Sequence, residues 1–316
     1  MTYASSLKAA LASEEPVTRL WLSGKVHGEI PEAVFELEDL TYLILDYNPG
    51  IIIPPQIAQL KNLEGITLDK CRLREFPEAL LKLPHLKSLG LTDNQLRVLP
   101  SDISAMRDLQ RLYLSDNRLT SLPPEIGALH NLEDLILRGN QLTALPPEIG
   151  DLGHLQELQV SENALQALPP EIGRLINLQK LRAGENRLST LPPEIGALVH
   201  LKILWLHKNR LSELLPEIGG LHALEELWLQ KNDLARLPAE FGQLTSLKKL
   251  WLYDNRLTAL PDEIGDLVHL EDLSLSNNRL RDLPPGLANL QALEELSLTR
   301  NQLAAFPAAL CKLPHL

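Results

Sequence analysis

Hydrophobic and polar positions along the chain recur every 23 residues without an insertion. Counting back from Asn301 in that step lands on Asn278, Asn255, Asn232, Asn209, Asn186, Asn163, Asn140, Asn117 and Asn94, then on Cys71, Asn48 and Lys25. One copy reads Leu132, Leu135, Leu137, Asn140, Leu142, Leu145, Pro146, Ile149 and Leu152, and thirteen such copies fill residues 17–316. A strict period of this length marks a solenoid, in which each unit buries its apolar face on its neighbours. One elongated domain is expected, where length alone would suggest two.

Two elements follow from the spacing inside a copy. Leu135 and Leu137 alternate with Asp134, Ile136 and Arg138, which predicts a short strand with the leucines on a buried face and the other three on an open one. Beyond the asparagine, in Leu-Pro-Pro-Glu-Ile-Gly, proline fixes φ and Ile149 and Leu152 stand three apart, the interval of a helical or 3-10 turn. Gly150 and its equivalents Gly127, Gly173, Gly196, Gly219, Gly242 and Gly265 are expected to reverse the chain at positive φ. The recurring asparagine stands where the strand ends, and its amide can both donate and accept. Repeated every copy it predicts a ladder between adjacent turns, with Cys71 as a small substitute and Lys25 lacking a preceding turn to bridge. Among copies that depart from the pattern (His27, Gly50, Met106, Leu215), Ala183 in place of a strand leucine, next to Val160 one copy earlier, predicts a thin core. A missing leucine side chain costs roughly 2–5 kcal/mol where neighbours leave the space empty.

Residues 145–165, with Leu-Pro-Pro-Glu-Ile-Gly followed by the leucine and asparagine spacing, resemble the leucine-rich repeat family. The form resembles the 23-residue class of Ras-group, Scribble-like and bacterial proteins, including the repeat domains of Roco GTPases. The resemblance covers residues 17–316. It implies an α/β chain wound as a right-handed horseshoe. A parallel sheet would line the concave face, short helical or 3-10 turns the convex face, and a macromolecular partner would bind on the sheet.

The ends differ from the repeats. Tyr3, Leu7 and Leu11, four apart and followed by Pro16, predict that residues 1–16 form a capping helix. At the other end Leu316 falls on the first leucine of a fourteenth copy and no cap follows. That is the expectation for a fragment of a longer protein, or for a segment of Phe306, Leu310, Leu313 and Leu316 that folds back or pairs with a second molecule through an open edge.

A net charge of −11 with a pI near 5.3 argues against general binding to nucleic acid or to anionic membranes. Cys71 and Cys311, ten copies apart, are too distant for a disulfide in a solenoid. With no signal peptide and no apolar run of spanning length, a cytoplasmic setting is expected, the alternative being an exported effector without a classical signal.

All four tryptophans occupy one column between the two strand leucines: Trp21, then Trp205, Trp228 and Trp251 in three consecutive copies, with Tyr113 in the same column and Tyr253 two residues past Trp251. Strand alternation turns this column away from the core, which predicts an exposed ladder of indoles. Around it, in copies eight to eleven, Lys180, Arg182, Arg187, Lys208, Arg210, Lys231, Lys249 and Arg256 stand against Glu185, Glu226, Asp233 and Asp254, a local +4. Large rings beside cations are the composition of interaction hot spots. The expected binding face therefore takes contact area from Arg182, Trp205, Trp228, Trp251 and Tyr253 and steering from Lys208, Arg210 and Lys231, with His207 and Asp254 alongside. It would receive a protein ligand with an acidic, partly apolar surface. A second cluster, Trp21, Tyr42, Ile44 and Tyr47, is either another contact patch or a surface covered by the N-terminal segment.

Catalytic chemistry finds no constellation. Five histidines (His85, His154, His200, His269, His315) repeat at one position of the copy, and residues strung out at that spacing do not converge on one metal ion. There is no phosphate-binding or dinucleotide fingerprint. The expected function is a non-enzymatic protein-protein interaction module without cofactor or metal, binding neither nucleic acid nor membrane. The alternatives are the recognition domain of a larger enzyme, such as a Roco-type GTPase or an effector ubiquitin ligase, and a glycan-binding module.

Overall fold

The alternating segment of each copy is three residues long, so the strand it forms is equally short and sends one central side chain into the core. In the computed structural model, which describes residues 3–305, 310–311 and 313–315, the chain falls into two compact units, Met1–Leu142 with Asp151–Leu155 and Thr143–Gly150 with Gln156–Leu316. The first unit holds β1 (Tyr3–Ala4), β2 (Arg19–Trp21), β3 (Tyr42–Ile44), β4 (Gly65–Thr67), β5 (Ser88–Gly90), β6 (Arg111–Tyr113) and β7 (Asp134–Ile136). The second holds β8 (Glu157–Gln159), β9 (Lys180–Arg182), β10 (Ile203–Trp205), β11 (Glu226–Trp228), β12 (Lys249–Trp251), β13 (Asp272–Ser274) and β14 (Glu295–Ser297). Within each unit every strand pairs in parallel with the next in sequence. The register advances by one copy per strand, so Leu181, Leu204, Leu227, Leu250 and Leu273 form one fully buried row. This is the solenoid of a repeat protein, with a parallel sheet on one side and 3-10 turns such as Pro193–Ala197 on the other.

From β2 onward each strand is followed, a few residues on, by a left-handed residue at which the chain turns. Glu185, Lys208, Lys231, Asp254 and Asn277 have φ of 55, 52, 59, 56 and 56°, a conformation that costs a non-glycine residue roughly 1–2 kcal/mol. The asparagine that follows offsets this. Asn209 donates from Nδ2 to the carbonyls of Ala183 (2.9 Å) and Leu206 (3.0 Å), and its Oδ1 accepts the Leu188 N–H at 2.9 Å. One amide thus satisfies backbone groups of two successive turns, and buried Asn186, Asn232, Asn255 and Asn278 repeat the pattern. Cys71 stands in for one rung, its Sγ 3.2 Å from the Leu45 carbonyl, and burial pushes its thiol up to about 11. Ala183 is fully buried.

Three sequence expectations are corrected. The glycines expected after the 3-10 turn lie within it, as Gly196 does in Pro193–Ala197, and are not at positive φ; among the described residues the positive-φ glycines are Gly24, Gly28, Gly50 and Gly139. Their role is close approach. A Cβ on Gly196 would lie 2.3 Å from the Glu217 carbonyl oxygen of the next copy, and one on Gly242 would lie 2.6 Å from that of Glu263. The N-terminal helix is confined to α1 (Leu7–Leu11), capped by Ser6, whose hydroxyl accepts the Ala9 N–H at 3.2 Å. Ahead of it β1 adds to the sheet, so a turn does precede the first copy, and Lys25 Nζ reaches back to the Ser5 carbonyl. At the other end, Leu313 is buried and Leu310 half-buried, while Phe306 and Leu316 lie outside the described residues.

Candidate functional site

In the second unit the open face of the sheet is a grid whose rows are strands and whose columns are set by register. Trp205 pairs with Trp228 and Trp228 with Trp251, which brings the indoles into a stack. Ring centroids are 4.0 Å apart at 6° for the first pair and 4.5 Å at 14° for the second. The rings cover one another, so the ladder expected to be exposed is half-buried. Arg182, one strand earlier in the same column, lays its guanidinium 4.5 Å from the Trp205 ring and closes that end. Glu157 fixes it, pairing with both Arg182 and Lys180, the latter at 3.1 Å. At the far end Trp251 donates its indole N–H to Asp272 at 2.7 Å.

Between these ends several polar atoms are buried without a hydrogen-bond partner among the described residues: Nε1 of Trp205 and Trp228, Nε of Arg182, Nδ1 of His207 and Oε1 of Gln230. Each such group destabilises the fold by roughly 1–3 kcal/mol. His207 packs beside the ladder, its ring 5.8 Å from that of Trp228 and 6.4 Å from that of Trp205. It occupies space left by Gly184, where a Cβ would lie 2.4 Å from the imidazole. Burial lowers the His207 pKa, against the opposing pull of Glu185 at 3.8 Å.

Most of the local cations are neutralised across strands. Lys208 pairs with Glu185 at 3.0 Å, Arg256 with Asp233 at 2.6 Å and Lys249 with Glu226 at 3.8 Å. The local +4 leaves out Glu157, whose carboxylate takes up two cations. Among the described residues Arg187, Arg210 and Lys231 carry no ion pair, and all three are exposed. Asp254 accepts from the Asn277 side chain. Tyr253, half-buried, opens with Trp251, Asp272, Ser274, Glu295 and Ser297 onto a hollow of about 580 Å³. The sequence reading missed Glu157, Gly184, Gln230 and Asp272. Each lies within two residues of a site position shifted by one copy, so reading columns rather than copies would have found them.

The second cluster lies in the first unit. Tyr3 of β1 sets its ring edge-on to Trp21 at 5.6 Å and 87°, so the N-terminal segment partly covers that indole. Arg19 sits 4.7 Å over Tyr42, whose ring spreads across Gly65, and Lys70 lies 5.1 Å over the exposed Tyr47. Among the described residues no three His, Cys, Asp or Glu side chains are grouped to hold a metal ion, and no helix is long and apolar enough to cross a membrane.

Among the described residues strands and 3-10 turns recur at fixed positions of the copy, as does the asparagine rung apart from Cys71 and Lys25, which leaves the sheet face as the variable surface of a solenoid repeat protein. The chain belongs to the leucine-rich repeat family. The family model "Leucine-rich repeat region" matches residues 125–198 and 189–277, "Leucine rich repeat" matches 61–119 and 84–142, and "Leucine Rich repeats (2 copies)" matches 268–312. A leucine-rich repeat protein of Leptospira interrogans is 34% identical over 100% of this chain and 92% of that one, with a TM-score of 0.74. A chain of the Toll–Spatzle complex of Drosophila is similar at 28% identity over 94% of this chain and 41% of that chain, with a TM-score of 0.79. The plant peptide hormone receptor RGFR1, solved in complex with RGF2, is similar at 27% identity over 90% of this chain and 55% of that chain, with a TM-score of 0.60. No curated protein matches the chain.

Proposed function

We propose that the chain is a non-enzymatic recognition module that binds a protein ligand on the sheet face over β9 to β12. The observation that carries this reading is the stack of Trp205, Trp228 and Trp251 with its buried, unpartnered indole N–H groups. A stack serving only to join strands would contribute roughly 0.2–1 kcal/mol per pair, less than two unpaired donors cost. Rigid aromatic rings on a half-buried surface are what a protein ligand uses as anchors. The Toll–Spatzle complex and the RGFR1 complex with RGF2 are neighbours of this fold that hold protein ligands, which supports the class of partner. Arg187, Arg210 and Lys231 are free to meet acidic groups of a ligand, and Lys208 can do so by exchanging Glu185 for a carboxylate of the partner.

The test is capture from native lysate by this chain beside a Trp205→Ala, Trp228→Ala, Trp251→Ala variant, both first shown by circular dichroism to fold. A protein retained by the parent and lost by the variant, with retention weakened by added salt, is the expected result. Equal retention by both overturns the reading and reduces the ladder to sheet packing.

A further inference from the structure

The tryptophan stack is closed at one end and open at the other. At the β9 end a guanidinium lies on the last ring, Arg182 over Trp205 at 4.5 Å, anchored by Glu157. At the β13 end the register sets Ser274 opposite Trp251, and Ser297 follows in the same column. Neither is large enough to cover an indole. The hollow of about 580 Å³ over these serines is walled by Trp251 and Tyr253 and by the carboxylates of Asp272 and Glu295. Asp272 accepts the Trp251 indole N–H, and among the described residues neither acid carries an ion pair.

We propose that this hollow is the subsite for an arginine side chain of the bound protein ligand, which stacks on Trp251 over Ser274 and is held by Asp272 and Glu295. The proposal rests on the reading of the face as a protein-binding surface and adds a feature of the ligand. The chain already carries the intended geometry at its own expense one end away, with a planar cation on the ring and a carboxylate behind it. A guanidinium suits the place better than an ammonium, because it is planar, stacks on an aromatic face and can meet two carboxylates with separate N–H groups. It also suits the place better than an apolar side chain, which would leave two carboxylates facing it. The ligand is thereby given a direction: acidic groups toward Arg210 and Lys231, and an arginine toward β13 and β14.

The experiment uses the full chain and the peptide acetyl-Gly-Gly-Arg-Gly-Gly-amide, followed through the indole N–H resonance of Trp251, assigned with Trp251→Phe. Saturable movement of that resonance is expected, with the citrulline analogue, neutral but of the same shape, weaker by about tenfold. Asp272→Asn with Glu295→Gln should abolish the difference between the two peptides, Asn retaining an acceptor for the indole. Ser274→Arg should fill the place from within, abolishing the response while raising the melting temperature. Equal responses of the parent to arginine and citrulline, a preference for arginine that survives loss of both acids, or undiminished binding to Ser274→Arg each overturns the proposal. If the triple tryptophan variant loses its captured protein while the arginine peptide gives no response, the protein-binding reading stands and this subsite does not.

Discussion

At Asp69 in the first unit, Oδ1 accepts the Thr92 backbone N–H at 2.7 Å, while the Asp69 N–H itself donates to Asp46 at 2.9 Å. The carboxyl is pushed up to about 6, first by burial, which outweighs the Thr92 hydrogen bond, and further by the charges of Asp46 and Asp93. The folded protein therefore holds this proton more tightly than the unfolded chain, where the value is the ordinary 3.8. The resulting penalty is absent below the unfolded value, grows as the pH rises, and is complete above the folded one. Asp69→Asn keeps an oxygen for the Thr92 N–H and cannot ionise. We expect the variant to be more stable than the parent by about 1 kcal/mol at pH 7, the full shift being discounted for partial exposure, and equal to it at about pH 3, below the unfolded value. Urea midpoints at the two pH values check this; a gain that does not change with pH would assign the effect to something other than ionisation.

For the elements, the closest constraint is between successive 3-10 turns. Gly196 in Pro193–Ala197 packs so near the Glu217 carbonyl of Pro216–Gly220 that any side chain meets backbone, which cannot rotate away. Gly196→Ala should cost about 1–3 kcal/mol through this overpacking, read as a lower urea midpoint with an unchanged slope; a neutral outcome would mean that the turns can separate without loss. These elements also show what the sequence made legible. Strand positions, the asparagine rungs and the turn after Leu-Pro-Pro were readable because each is a side-chain period repeated many times. The left-handed residue before each asparagine was not, since Glu185, Lys208 and Asp254 have little in common except place. The glycines were assigned the wrong cause because the contact that demands them comes from the following copy. At the candidate site the tryptophan column was legible, but its half-burial and the pairing of Lys208 and Arg256 depend on neighbours one copy away. The strand at Tyr3–Ala4 gave no signal, being two residues long.

Taken as a whole, the molecule buries its leucines only against adjacent copies, so its stability is approximately a sum of local interfaces rather than the property of one shared core. Its net charge of −11 is carried mostly away from the ladder, where cross-strand pairs leave Arg187, Arg210 and Lys231 as the local cations without an ion pair among the described residues. Three of the four indoles in the chain lie parallel and in contact, and Trp21 stands apart in the first unit beside Tyr3. Chromophores stacked nearly parallel at that separation share their excited states, so the second unit should show indole absorption bands displaced to shorter wavelength relative to those of isolated tryptophans. Trp228→Phe, which interrupts the row at its centre, should erase the displacement while the fold remains. Were the bands unaltered, the displacement would have to arise elsewhere than in the stack. The protein thus carries a built-in optical gauge on the surface proposed to meet its partner, and ligand seating there is readable without a label.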